Sequence, residues 1–222
     1  MWERLLFFHE NDFIFAYMKT MRIYPTSINS RFIAEAVEAV RKGDVIIYPT
    51  DTFYAYGCDA LNTPAIERLC KAKGLNPQKE TLSIICADIS QASEYARIDN
   101  NAFKLMKRHL PGPFTFILPA ATSLPKAFKG RKTVGVRIPD NPIAVALAQE
   151  LGHPLLTTTL PLPHGADEED LVRPGSIAML FEDKVSLLID GGDGLLQPST
   201  VVDITDSSSP EILRQGIGAL EV

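Results

Sequence analysis

The chain alternates short apolar runs with segments of helical period. "DVIIY" at 44–48 places Val45, Ile46 and Ile47 in succession, the pattern of a strand covered on both faces. Before it, "SRFIAEAVEAVRKG" carries Ile33, Ala34, Ala36, Val37 and Val40 at helical spacing ahead of Gly43, which predicts a helix with a glycine stop. "TPAIERLCKAKG" predicts a second helix, with Thr63 as its cap, Pro64 at its first position and Gly74 at its end. "TLSIICAD" at 81–88 predicts a buried strand whose C-terminal end lies near that of 44–49 if the two pair in parallel. There follow a helix in "DNNAFKLMKRHLPGP", closed by Pro111-Gly112-Pro113, an alternating strand "FTFILPA", a basic loop "SLPKAFKGRKT" and a strand "VGVRIP". "NPIAVALAQELG" is again helical, and "HPLLTTTL" at 153–160 is a hydroxyl-rich β segment. The acidic stretch 164–183 is expected to hold a surface helix, and "VSLLIDGG", "STVVDI" and "EILRQG" close the chain in strands and turns. With no repeat, linker or low-complexity block, the economical architecture is one α/β domain with a twisted, mixed sheet.

Composition narrows the class. At 222 residues and 45% hydrophobic content the chain can bury a substantial core. Its apolar runs fall well short of the roughly 18 residues needed to cross a membrane. The opening "MWERLLFFHENDFIFAYMKT" is aromatic, but "HEND" splits it and no small-residue cleavage site follows. A cytoplasmic protein is therefore expected, with residues 1–20 a dispensable N-terminal extension, since Met18 and Met21 offer later starts, and a domain at 21–222. Cys58, Cys70 and Cys86 include no C-x-x-C pair, and the four histidines show no ligand spacing, so neither a disulfide frame nor a transition-metal site is indicated. Net charge is -5. Between Asp99 and Asp140, however, there is no acidic residue, while Lys104, Lys107, Arg108, Lys126, Lys129, Arg131, Lys132 and Arg137 are all basic. That segregation suggests a positively charged concave surface for phosphate or an RNA backbone, or else a solvated face with a basic loop.

The chemistry-bearing residues gather at strand ends. "PTDTFYAYGCDA", 49–60, discharges a buried strand into hydroxyls, a carboxylate and two tyrosines, where α/β folds place ligand chemistry. No P-loop, Rossmann glycine fingerprint or nucleophile elbow is present. Instead Lys71, Lys73, Lys79, Thr115, Arg137, Thr157, Thr158, Thr159 and "PST" at 198–200 come from separate segments. Gathered in one cleft, they would hold a polyanion, with cations neutralising oxygens and hydroxyls orienting them. No nucleophile has a matched base, so catalysis would rest on positioning and charge stabilisation, as in phosphoryl or nucleotidyl transfer.

"KGDVIIYPTDTFYAYGCDA", "PGPFTFILPA", "VGVRIPDNPIAVAL", "PLLTTTL", "PSTVVDIT" and "EILRQGIG" stand in the order of the YrdC-like family, and the chain resembles it from about residue 22 to 218. The resemblance implies a single YrdC-like α/β domain whose twisted mixed sheet borders a positively charged concave groove. It also implies binding of ATP and of double-stranded RNA or tRNA. The family's threonylcarbamoyl-AMP synthases join threonine, bicarbonate and ATP into threonylcarbamoyl-AMP and pyrophosphate for tRNA modification, and ATP chemistry implies Mg²⁺. By resemblance, Thr50, Thr52 and Tyr54 contact substrate, and Asp51 either joins them or caps the turn. Lys71-Ala72-Lys73 matches the family's K-x-R motif and Lys79 its following lysine. Thr115, Arg137, Thr159, Ser199 and Arg214 line the same groove, with Lys71, Lys73 and Arg137 as the catalytic cations. Lys129, Arg131 and Lys132 would meet RNA. Two departures stand out: Lys73 replaces the arginine fork of K-x-R, and Thr159-Leu160-Pro161 replaces Ser-x-Asn, losing an amide side chain and a backbone N–H. With "TFYAYGC" and "TLPLP" these resemble the family's YciO branch. A non-catalytic RNA-binding module using the same groove, and a nucleotide-regulated protein needing a partner, remain as alternatives.

Overall fold

The computed structural model of the chain describes residues 18–75, 83–121 and 132–221. In chain order the elements are β1 (Lys19–Arg22), α1 (Ser30–Arg41), β2 (Ile46–Tyr48), β3 (Ala55–Asp59), α2 (Thr63–Lys73), β4 (Ser83–Ile85), α3 (Ile89–Ser93), α4 (Asn100–His109), β5 (Phe114–Pro119), β6 (Thr133–Arg137), α5 (Pro142–Leu151), β7 (Leu155–Thr159), a 3₁₀ turn (Glu168–Leu171), α6 (Pro174–Leu180), β8 (Leu187–Asp190), β9 (Thr200–Asp203) and β10 (Glu211–Arg214). Among the described residues the strands form one mixed sheet in the order β1-β8-β2-β3-β7-β4-β6-β5-β9-β10.

Helix boundaries follow local chemistry. Asn29 caps α1 by accepting from the Arg31 N–H, and Ile33, Ala36, Val37 and Val40 form its buried stripe. Gly43, at φ 91°, takes the left-handed conformation that stops the helix, as expected. In α2 the cap is Asn62, whose side chain accepts from the Ala65 N–H, and not Thr63, which is the first helical residue. Gly74 ends that helix in the left-handed region. The acidic stretch divides into the 3₁₀ turn and α6, because Pro174 starts a new helix and cannot continue the old one.

The strand reading needs correction at three places. The segments 44–49 and 81–88 do not pair: β3 and β7 lie between β2 and β4. Three successive antiparallel pairings leave β4 antiparallel to β2. β3, expected as part of a polar turn, pairs over its whole length with β7 from Ala55↔Thr159 to Asp59↔Leu155. Lys19 and Thr20, assigned from sequence to the extension, pair in register with Leu187 and Leu188 of β8.

Two apolar clusters pack the sheet, and they are unequal. One face is covered along its length: Ile47, Tyr56, Ile84, Phe116, Val136, Leu156, Leu188 and Val202 join α2, α4 and α6 in one cluster. On the other face α1 and α5 cover the β1-to-β7 side, over Met21, Ile46, Tyr48, Ala55, Leu155 and Leu187. The expectation that 44–48 is buried on both faces holds, since Ile47 enters one cluster and Ile46 and Tyr48 the other. Toward β6, β5 and β9 that second face has no residue in the α1/α5 cluster. All three cysteines are buried, and burial pushes the Cys58 and Cys86 thiols up. Among the described residues no helix is long and apolar enough to cross a membrane.

Candidate functional site

The open half of the second face has a floor of small residues. Gly57 pairs with Thr157, Thr157 with Ser83, and Ser83 with Gly135, across four adjacent strands. A Cβ at Gly135 would lie 2.5 Å from Ser83 Oγ, so only glycine leaves this floor flat. The Tyr48 ring lies over Gly57 and its hydroxyl bonds Thr157 Oγ1 at 2.7 Å. Complete burial, only partly offset by that bond, pushes the Tyr48 phenol up to about 12. It is thus a neutral hydroxyl at ordinary pH.

Strand alternation sends Arg137 to this face, because Val134 and Val136 enter the opposite cluster. The register Phe116↔Val136 brings Thr115 beside it. Arg137 Nη2 donates to Asp51 Oδ1 at 2.9 Å and Thr52 Oγ1 at 3.1 Å, with both members of the ion pair 7% exposed. Asp51 Oδ2 accepts from the Asp140 N–H at 3.0 Å. Asp51 therefore does not cap its own turn; it ties the β2–β3 loop to the end of β6. Thr50 Oγ1 makes the local turn bonds instead, donating to the Phe53 carbonyl at 2.7 Å and accepting from the Thr52 N–H at 3.1 Å. With that donor spent, the 3.0 Å Thr50–Thr52 bond must take its proton from Thr52. Both hydroxyl protons of the turn are thereby used internally, and Arg137 is locked by a carboxylate and a hydroxyl.

A second arm closes from β9 and β10. Thr115 Oγ1 and Ser199 Oγ are 3.0 Å apart, both buried. Arg214 Nη2 donates to the Ser199 carbonyl at 2.9 Å and to its Oγ at 3.3 Å. Arg214 is held below the usual guanidinium range, first by burial and then by the like charge of Arg137. Arg214 thus approaches this pair of hydroxyls, Thr115 stands cross-strand from Arg137, and Asp51 bonds Arg137. Arg137 Nε is buried and has no acceptor among the described residues. An unmet buried donor costs roughly 1–3 kcal/mol, and an anionic oxygen would satisfy it.

The remaining candidates divide. Lys73 Nζ donates to Thr159 Oγ1 at 3.3 Å on the rim of the face. Lys71 stands two residues earlier, on another side of α2, and is exposed; the structure does not bring the two lysines together. Tyr54 is 1% exposed, and its hydroxyl donates to the Gly192 carbonyl at 2.6 Å and accepts from the Gly191 N–H at 3.1 Å, so its polar end is spent on the loop after β8. Lys79, Lys129 and Arg131 lie outside the described residues, and Lys132 is exposed. The described part of the basic window is divided: Ala102, Leu105 and Met106 bind α4 to the fully covered face, so Lys104, Lys107 and Arg108 lie across the sheet from Arg137. Their helical spacing, which serves a core on the far side, is the reason. Asp51 is the site residue that sequence reasoning left undecided, because its partner is 86 positions away.

A family model described as "Telomere recombination", covering Sua5, YciO and YrdC proteins, matches residues 38–216. The uncharacterized protein YciO of Escherichia coli strain K12 is 43% identical over 198 residues, covering 88% of this chain and 94% of its own. A crystal structure of E. coli YciO matches with a TM-score of 0.83 at 40% identity, over 92% of this chain and 98% of that one. Threonylcarbamoyl-AMP synthase of Bacillus subtilis strain 168 is 33% identical over 208 residues, 90% of this chain and 59% of the relative. The crystal structure of P. abyssi Sua5 complexed with L-threonine matches with a TM-score of 0.78 at 30% identity, over 90% and 58% of the two chains.

Proposed function

The chain belongs to the Sua5/YciO/YrdC family, and from that premise we propose that it is a threonylcarbamoyl-AMP synthase-type nucleotidyltransferase linked to tRNA modification. An amino acid, threonine or a relative, takes up bicarbonate at its amino nitrogen to give a carbamate and water. A carbamate oxygen then attacks the α-phosphorus of ATP, the bond to the β-phosphate oxygen breaks, and pyrophosphate leaves with the electron pair. The observation that carries this reading is the buried Arg137 Nε–H, without an acceptor among the described residues, beside Arg214 and the Thr115–Ser199 hydroxyls. Such a cluster suits phosphate oxygens, whose charge grows on the leaving group as the bond breaks. Arg137 and Arg214 neutralise that charge, Thr115 and Ser199 orient the oxygens, and Lys73 with Thr159 supplies a further cation at the rim. Asp51 keeps the Arg137 fork fixed, so no reorganisation is needed when charge develops. Mg²⁺ would enter with the phosphates of ATP. Threonine is suggested by the P. abyssi Sua5 complex; bicarbonate, and a tRNA destination, follow from the synthase reading.

The test is pyrophosphate release by the purified protein with ATP, bicarbonate and single amino acids, against controls lacking each. Release that requires both bicarbonate and an amino acid supports the proposal. A folded protein that binds ATP yet releases nothing with any amino acid contradicts it.

A second reading, a double-stranded RNA or tRNA-binding module without catalysis, draws on the exposed Lys104, Lys107 and Arg108 of α4. At positions i, i+3 and i+4 they share one helix face. RNA affinity that falls steeply with salt, and weakens in the triple alanine variant, would favour it.

A further inference from the structure

Arg137 and Arg214 belong to separate bonding sets on separate strands, yet one loop touches both. Residues 191–199, between β8 and β9, start beside Tyr54, whose hydroxyl donates to the Gly192 carbonyl at 2.6 Å and accepts from the Gly191 N–H at 3.1 Å. Gly194 then lies on the Tyr54 ring, since a Cβ there would stand 3.1 Å from its Cδ2. The next N–H, of Leu195, donates to the Thr52 carbonyl at 3.1 Å, and Thr52 is the residue whose hydroxyl accepts from Arg137. Four residues later Ser199 offers its carbonyl and hydroxyl to Arg214. The loop thus runs from Tyr54 to the Arg137 set and on to the Arg214 set. The Tyr54 ring packs in the cluster of the covered face, and its one proton is spent on the loop. Burial pushes its phenol up, so it stays a neutral hydroxyl that donates and accepts at once.

We propose that Tyr54 is a positioning residue of this site, one that does not touch the ligand: by fixing the loop it sets the Arg137 and Arg214 sets at the separation one nucleotide needs. The inference rests on the nucleotide-binding reading above and says how that site is held in register. Residues 191–199 include Gly191, Gly192 and Gly194, and glycine loses more conformational freedom on ordering than any other residue. Such a segment keeps one conformation only where partners fix it, and the Tyr54 hydroxyl and ring meet all three glycines. Without that hydroxyl two backbone groups lose their partner, and Leu195 and Ser199 can shift relative to Thr52 and Arg214. Both arginine sets then meet the ligand less preorganised, and binding has to supply the ordering.

The test is calorimetric titration of the intact protein with ATP and Mg²⁺, per folded molecule, in wild type, Tyr54→Phe, Arg214→Ala and the double variant. Tyr54→Phe keeps the ring and is expected to weaken binding about fivefold, the net worth of one hydrogen bond. Because both changes act on one unit, the double variant is expected to lose less than the product of the single losses. Gly194→Ala, which pushes the loop off the ring from the other side, is expected to weaken ATP binding in the same sense. A spectroscopic reading is independent of stability: the ¹⁵N resonance of Arg137 Nε, identified by its loss in Arg137→Lys, should shift in Tyr54→Phe. That of Arg68, bonded to the Gly43 carbonyl, should stay. Unchanged affinity, losses that simply multiply, or an unmoved Arg137 resonance leaves Tyr54 a packing role only and overturns the inference. If that happens while pyrophosphate is released, the synthase reading stands. If the expected losses are found but no amino acid with bicarbonate elicits pyrophosphate, the synthase reading fails and this inference stands. If the wild type binds no ATP, both fail.

Discussion

One face of the sheet is built in two ways. Toward β1 and β8, α1 and α5 lie over Ile46, Tyr48, Ala55, Leu155 and Leu187, and the surface is uniformly apolar. Toward β6, β5 and β9 the same face carries Gly135, Ser83, Thr115, Arg137 and Ser199, and its polar groups bond in two sets, Arg214 with Ser199 and Thr115, and Arg137 with Asp51 and Thr52. The backbone ladder is continuous across both halves, so the difference lies in the side chains. Where a helix covers the strands, burial of branched side chains stabilises the fold. Where the α1/α5 cluster does not reach, the strands carry small or hydroxylated residues and one locked arginine, which is stability given up for ligand contact. The comparison teaches that this site is an omission in the packing as much as an addition of chemistry.

Substitutions in the two halves should therefore separate. The largest functional effect is expected for Arg137→Ala, a loss of roughly 10²–10³-fold in pyrophosphate release, comparable to removing a preorganised oxyanion donor. It also strands Asp51, so stability should drop by about 3–5 kcal/mol in a denaturant titration, the usual consequence of breaking a buried pair. In the covered half, Leu147→Ala, at a fully buried α5 position, should cost about 2–5 kcal/mol of stability. ATP affinity per folded molecule should be untouched there. Gly135→Ala sharpens the contrast, because its new Cβ meets Ser83 Oγ and Thr115 Cγ2. An overpacking cost of about 1–3 kcal/mol is expected, with weaker nucleotide binding, since the floor of the open half rises.

Smallest is an effect remote from both halves. Asp59 accepts from His153 Nε2 at 2.8 Å and from the Leu61 N–H at 2.7 Å. Burial acts to raise its carboxyl, but these bonds outweigh it and hold the group below the ordinary carboxylate value. A depressed folded-state value means that Asp59 stabilises the fold above its unfolded pKa of about 4, and that the contribution fades as pH falls through the folded value. Asp59→Asn should flatten the acid limb of stability below about pH 4 in a urea series, and should leave the profile near neutrality unchanged in slope.

How much of this was legible in the chain follows from where each signal resides. α1, α2, α4 and α5 were visible because period and caps are local, although the cap of α2 fell one residue earlier than Thr63. β3 was hidden because "AYGCD" has the polarity of a turn, and it becomes a strand through the neighbours β2 and β7 that pair with it on both sides. The short strand β1 is defined in the same way by β8. Sheet order was illegible for a related reason: a run of apolar residues announces a buried strand and says nothing of which strand lies next to it. Among the candidate residues, Thr115, Arg137, Ser199 and Arg214 could be chosen as polar groups at strand ends or by family resemblance, and they do converge. Asp51 could not be chosen by spacing, since its meaning lies in Arg137. Linear charge density could not show that, among the described basic residues, those of α4 and Arg137 sit on opposite faces.

The most direct measurement is an ATP titration of the wild-type protein and of Arg214→Ala, a partly exposed position whose replacement spares the core, with Leu147→Ala as the control from the covered half. The account predicts saturable binding that weakens about tenfold or more in Arg214→Ala and is unchanged, per folded molecule, in Leu147→Ala. Absent binding, or equal affinity in wild type and Arg214→Ala, would contradict the claim that the uncovered half of the sheet is a nucleotide site.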